Sequence, residues 1–320
     1  MSQSTKEVNV TRLIDEGRVT PFQIATIIFC ALVNLFDGID TQSIGVAAPF
    51  IADALGIKIA NFGPIFSSAL VGATIGAASF GPLADRMGRK TLLIIATVLI
   101  GVFTLLTATA SSVPMLMVFR LLAGLGLGGA TPCFIALTSE YAPARLRAAI
   151  VTLMWSSFPF GGMIGGLLNS YLLTQMGWQA IFYIGGVVPL AIAVLLFFYL
   201  PESIKFLLTR RNDASAIRKI VARFRSPLIR EDSYFVIDEK QLPGAPIRHL
   251  FSEGRALGTL LLWVPFFMGF GVLTVVTLWT PALLRINGVS PANTAFVIAF
   301  NGLGAFIGQS TAGRLMERFG

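Results

Sequence analysis

Long apolar runs constrain this chain more than any other feature. Residues 91–109, 114–137, 148–173, 178–200 and 257–284 each approach or exceed the ~20 residues that cross a bilayer core. An ordinary soluble domain is about 25% charged. This chain is 12% charged and 55% hydrophobic, with a mean hydropathy of +0.77. The N-terminal run follows a polar stretch holding Lys6, Arg12 and Arg18. It is too long for the apolar core of a signal peptide and reads as a first membrane helix.

A net charge of +8 invites a nucleic-acid partner, but the distribution of the charge excludes one. Spans are predicted near 22–50, 61–83, 91–109, 114–138, 148–172, 178–200, 257–284 and 292–312. Lys58 and Arg285 are the only basic residues in the connections on one side, and Arg120 lies inside a span. Every other Lys and Arg falls on the opposite side. By the positive-inside rule, the amino terminus and the 201–256 loop are cytoplasmic in a multi-pass protein of the cell (inner) membrane. Cys30 and Cys133 lie in apolar spans and read as small packing residues. His249 is alone in the loop. No metal-ligand spacing, cofactor motif or nucleophile–base set appears, so neither cofactor nor enzymatic activity is expected.

Shifting the chain by 232 residues lays 49–88 on 281–320 without a gap. Pro49 matches Pro281, Gly56 matches Gly288, and Gly72-Ala73 matches Gly304-Ala305. Gly81, Leu83, Arg86 and Gly88 match Gly313, Leu315, Arg318 and Gly320, while Asp85 becomes Glu317 and keeps its carboxylate. The offset places the first two helices on the seventh and eighth, so the repeating unit is six helices, even in number and parallel in orientation. Parallel halves with a site between them are a transporter architecture. The predicted layout is a cytoplasmic segment 1–21, a six-helix bundle 22–200, a cytoplasmic loop 201–256, and the start of a second bundle at 257–320. Eight helices are then present of about twelve expected for such a carrier, which reads as C-terminally incomplete. Segment 213–225, with Asp213 as cap, reads as an amphipathic helix on the membrane surface.

The turn after the second span reads Gly81-Pro-Leu-Ala-Asp85-Arg86-Met-Gly88-Arg89-Lys90, with a half-copy at Gly313, Glu317 and Arg318. It resembles the signature loop of the major facilitator superfamily. The resemblance covers essentially the whole chain and implies an all-α major facilitator fold. It also implies that this loop latches the two halves in one conformation and releases them in the other. A phosphate loop is excluded, because Gly-x4-Gly-Lys-Ser/Thr is absent. The run Arg120-Leu-Leu-Ala-Gly124-Leu-Gly126-Leu-Gly128-Gly129 contains G-x-G-x-x-G, but inside a membrane span rather than at a strand-to-helix turn. Small-residue helix packing accounts for it, and the superfamily has a similar motif there.

Arg120 inside a span is costly and should face a cavity or a partner; snorkelling to the outer surface is the alternative. Asp37-Gly38-Ile39-Asp40-Thr41 sets two carboxylates three residues apart on one helix. Counting ~1.5 Å per residue from Phe22 places Asp37 ~22 Å in, at a depth matching Arg120. The expectation is that Asp37 and Arg120 meet across the cavity; Asp40 lies nearer the outer edge, where a solvated helix end is the alternative to a functional role. At the repeat offset Asp37 falls on Gly269 and Asp40 on Val272, so the scaffold is duplicated and the acids are not.

The Asp-Gly-x-Asp-Thr string resembles the aromatic acid:proton symporter family, carriers of benzoate- and hydroxybenzoate-type acids. The resemblance implies a small organic anion and a proton as partners, with Asp37, Asp40 and Arg120 coupling them. Phe158-Pro159-Phe160-Gly161-Gly162 departs from the drug-antiporter pattern and favours symport. A membrane-buried carboxylate resists ionisation, so Asp37 or Asp40 is expected to take the proton, freeing Arg120 for the substrate carboxylate. Glu140 is expected to pair with Arg86, Arg89 or Arg147, or to remain a solvated helix end. Trp155, Phe158, Phe160 and Trp279 are candidates for ring stacking or plain packing. Asn9-Val-Thr11 matches a glycosylation acceptor but lies on the cytoplasmic side. The carrier is expected to be a monomer. A carrier of a sugar, a dicarboxylate or a drug, and a non-transporting membrane protein, remain open.

Overall fold

In a computed structural model the described residues are 7–211, 213–224, 234–236, 251–252 and 254–319. Eight helices among them are long and apolar enough to cross a membrane. Six come in succession. They are α2 (Pro21–Leu55), α3 (Gly63–Met87), α4 (Arg89–Thr107), α5 (Val113–Tyr141), α6 (Arg147–Gln175) and α7 (Trp178–Tyr199), after a short α1 (Val10–Glu16). Local chemistry sets the ends. Thr20 and Gln23 form a capping box at the start of α2, and Pro21 occupies its first turn. Gly56 closes α2 with φ 65°, and its repeat mate Gly288 has φ 79°. Two glycines 232 positions apart thus share the left-handed conformation that only glycine adopts without strain.

Helix packing uses backbone approach rather than large knobs. A Cβ on Gly38, Gly161 or Gly165 would strike the facing helix, so α2 and α6 touch main chain to main chain. Gly72 and Gly76 of α3 meet α5 at Leu121 and Leu125, and Gly124 and Gly128 of α5 return the contact at Ala69 and Ala73. The glycine run in α5 is therefore a packing surface. Buried apolar side chains gather in two layers. One lies toward the end carrying most of the basic residues, with Leu92, Phe134, Leu137 and Leu196. The other lies toward the opposite end, with Ile51, Phe62, Ile65 and Phe182.

Beyond α7 the chain makes α8 (Ile204–Phe206), a π-turn over Leu207–Arg211 and α9 (Ala214–Ala222). Asp213 caps α9 by accepting from the Ala216 N–H, as the sequence predicts. The helix is shorter than 213–225, and its apolar face is not left for lipid. Ile217 and Val221 are buried in the basic-end core, beside Tyr141 and Phe206. The strand pair β1 (Glu7–Asn9) with β2 (Tyr234–Val236), parallel, is not foreshadowed by any sequence pattern. Asn9 caps α1, accepting from the Arg12 N–H. His249 lies outside the described residues.

The second copy begins with α10 (Ala256–Thr274), passes through a π-turn at Val275–Trp279 into α11 (Thr280–Ile286), and continues with α12 (Pro291–Phe319). Helix α12 packs along α6, where Gly302 meets Pro159 and Met163, and Gly313 meets Ala149 and Thr152. The π-turn packs on α2, with Gly45 against the main chain of Thr277 and Leu278. A Cβ added at Gly304 or Gly308 would meet nothing within 4 Å among the described residues, whereas their repeat mates Gly72 and Gly76 are covered by α5.

Candidate functional site

A cavity of about 860 Å³ lies between α2, α3, α5 and α6 on one side and α10, the π-turn after it and α12 on the other. Its wall is mostly apolar, with Trp155, Phe158, Phe66 and Phe270 supplying rings. Asp37, Thr41 and Gln42 come from α2, Thr74 from α3, Thr131 from α5, and Asn301 and Gln309 from α12.

Arg120 is one of the largest fully buried side chains, at 2% exposure, which excludes snorkelling. Its partner is not Asp37. Arg120 Nη1 lies 3.1 Å from Asp40 Oδ2, and Asp40 is itself only 3% exposed. The Nε and Nη2 groups donate to Thr107 Oγ1 at 3.1 and 2.9 Å, and Nη2 also donates to Thr104 Oγ1 at 3.2 Å. Thr104 in turn donates to Asp40 Oδ1 at 2.8 Å. Arg120 also sits 5.4 Å from the centroid of the Phe182 ring.

The expected Asp37–Arg120 pairing is therefore overturned, and the alternative of a solvated helix end at Asp40 is excluded. Depth arithmetic took α2 to match the core thickness, but α2 runs 35 residues, and Asp40 falls near its middle. Residues three apart on a helix also differ by about 60° in direction. That rotation turns Asp40 to the α4–α5 seam and leaves Asp37 facing the cavity. The signal that the sequence reading missed is Thr104 and Thr107, two hydroxyls one turn apart inside an apolar span.

Asp37 has a different environment. Among the described residues its hydrogen-bond partner is the hydroxyl of Thr41, one turn on, which donates to Oδ1 at 3.2 Å. Gly38 explains why Asp37 can stand there, because its missing side chain lets α6 approach at Phe158 and Gly162. Trp155 and Phe158 line the cavity, whereas Phe160 packs on Phe306 and Trp279 on Phe66.

At the basic end the loop residues form a second charged group. Of the partners predicted for Glu140, Arg89 is the one present. Arg89 also lies 3.6 Å from the exposed Asp85, and Ser203 Oγ donates to Glu140. Glu202, which the sequence reading passed over, accepts from the Lys90 N–H at 3.0 Å and the Ser203 N–H at 2.8 Å, capping the start of α4. Gly88, with φ 100°, brings the chain past that carboxylate, where a Cβ would clash. Lys90 Nζ donates to the Phe197 carbonyl at 2.8 Å. These contacts all lie between residues 85 and 203, in the first six spans and the segment that leaves them. Arg86 and Asp85 are exposed, Gly81 has no close neighbour, and Gly313 rests on Thr152. The side chains of Glu317 and Arg318 lie outside the described residues.

The model of the Major Facilitator Superfamily matches residues 30–320. The chain belongs to the major facilitator superfamily. It is 36% identical over 318 residues to the 4-hydroxybenzoate transporter PcaK of Pseudomonas aeruginosa, covering 99% of this chain and 71% of that protein. It is also 36% identical to the gallate transporter of Pseudomonas putida, covering 97% of this chain and 69% of that one. The crystal structure of a D-xylose–proton symporter superposes with a TM-score of 0.68 at 20% identity, over 93% of this chain and 70% of that one, a likeness of fold. The protein is thus a multi-pass membrane transporter whose curated relatives carry aromatic acids.

Proposed function

We propose that this chain is a carrier of small aryl carboxylic acids that brings each acid into the cell with a proton, using Asp37 as the proton site. One observation carries this reading. The cavity holds two carboxylates and one guanidinium among its described lining residues, and Asp40 neutralises Arg120 in a closed hydrogen-bonded cage. Asp37 is left as the uncompensated charge. In a low-dielectric cavity an organic anion beside an ionised Asp37 is repelled by several kcal/mol, of order 4 kcal/mol at ~4 Å. A protonated Asp37 is instead an O–H donor for the incoming carboxylate. Proton binding therefore precedes substrate binding, and the two travel together. Arg120 has the role of fixing Asp40 and the α4–α5 seam, rather than the free anion clamp that its sequence position suggests.

Ring-lined walls and the named cargo of the relatives support an aryl acid over a sugar or dicarboxylate. The charge asymmetry supports a cytoplasmic basic end. Transport follows by rocking α10 to α12 against the first six spans. The basic-end cluster of Arg89, Glu140 and Glu202 stiffens one rim, and the signature loop and its half-copy at Gly313 latch the halves together.

Uptake of labelled 4-hydroxybenzoate into proteoliposomes tests the substrate class. Unlabelled aryl acids should compete at micromolar to millimolar levels, while xylose and succinate should not. Competition by xylose or succinate without competition by aryl acids would overturn the assignment.

A further inference from the structure

Of the three carboxamides lining the cavity, Gln42 donates to the Thr277 carbonyl at 3.3 Å, which leaves Asn301 and Gln309. Asn301 and Gln309 both stand on the α12 face that lines the cavity, and neither has a hydrogen bond to another described residue. Both side chains are exposed to the cavity, so water can pair them until a ligand displaces it. Their levels differ. Gly302, next to Asn301, packs against Pro159 and Met163 of α6, while Gly38, next to Asp37, packs against Phe158 and Gly162 of the same stretch. Asn301 and Asp37 therefore flank one turn of α6 at the same depth. Gln309 lies eight residues further along α12, or ~12 Å toward the basic end at ~1.5 Å per residue.

Resting on the aryl-acid reading above, we propose that Asn301 is the specificity-determining residue for a polar ring substituent. The acid lies across the cavity with its carboxylate at Asp37 and its ring between Phe158 and α12. A ring hydroxyl opposite the carboxylate then meets the Asn301 carboxamide, whose oxygen accepts from the phenol and whose NH₂ donates to it. A hydroxylated benzoate satisfies this group, and benzoate leaves it unpaired. Because a site built around a hydrogen bond discriminates against ligands that lack the partner, the preference is set by binding rather than by ring size.

Competition binding to the purified full chain in detergent, at one fixed acidic pH, tests the assignment with 4-hydroxybenzoate and benzoate. The wild type should prefer the hydroxylated acid by a few-fold to about tenfold, the net scale of one hydrogen bond. Asn301→Leu should reduce that ratio to about one, mainly by weakening 4-hydroxybenzoate. Asn301→Gln, which keeps the carboxamide, should restore part of it. Gln309→Leu is the comparison on the same face and should keep the preference. Equal weakening of both acids by Asn301→Leu, or loss of the preference in Gln309→Leu instead, would overturn the proposal. Failure of the wild type to bind either acid would instead refute the aryl-acid reading itself.

Discussion

Arg120 and Asp40 form a buried pair that neither residue can leave cheaply. Removing one partner strands the other charge in a protein interior, and such losses run to about 3–5 kcal/mol. Asp40→Asn is therefore expected to lower the stability of the detergent-solubilised protein by about 3 kcal/mol, seen as a drop in thermal unfolding temperature. Exchanging both partners for apolar residues, Asp40→Leu with Arg120→Met, should be milder than Asp40→Asn alone, because no charge remains unpaired. Asp37→Asn, which removes a carboxylate with no counter-ion among the described residues, should leave stability within about 1 kcal/mol of wild type. Equal losses in Asp37→Asn and Asp40→Asn would contradict the division of roles. The sequence makes all three residues conspicuous, since an ionisable group inside an apolar run stands out. Their pairing is not legible there. It depends on a 60° difference in direction and on two threonines that composition does not flag.

At the scale of elements, close helix approach makes some glycines sharper determinants than any core apolar residue. A side chain at Gly128 would strike the main chain of Ala73. Gly128→Val is expected to separate α3 from α5 and to cut the yield of folded, monodisperse protein in size-exclusion chromatography, whereas Gly81→Val, in open space, should not. Outside the spans, α9 depends on its cap. The Ala216 N–H, and then the Ser215 hydroxyl, hold the Asp213 carboxyl below the ordinary carboxylate range. A carboxylate whose pKa is lowered by folding contributes stability that is present above its unfolded value and is lost as pH falls through the lowered one. Hydrogen exchange over 214–222 should therefore be slow at neutral pH and, after correction for intrinsic rates, less protected as the cap is protonated in acid. Asp213→Ala should lose this pH dependence. Span positions and the Asp213 cap are legible in the sequence because apolar length and capping chemistry are local. The burial of Ile217 and Val221 against the bundle is not, because an amphipathic face looks the same whether it meets lipid or protein.

For the whole molecule, the repeat is the most informative feature. The 232-residue offset carries over not only residue types but the left-handed turns at Gly56 and Gly288. The scaffold is thus duplicated while the chemistry stays in one copy. Asp37, Asp40 and Arg120 come from the first six spans, and the uncommitted Asn301 and Gln309 come from α12. A cavity whose charged lining residues, among those described, all come from one half, with Asn301 and Gln309 added from the other, suits a carrier that gates on a proton and reads its cargo separately. In this carrier Asp37 is proposed to hold that proton. Accumulation of labelled 4-hydroxybenzoate in proteoliposomes under an inside-alkaline gradient, set against exchange at equal pH, tests this most directly. The wild type should do both and acidify the lumen as it accumulates, while Asp37→Asn should lose accumulation and keep exchange. An Asp37→Asn protein that still concentrates the acid as the wild type does would contradict the account.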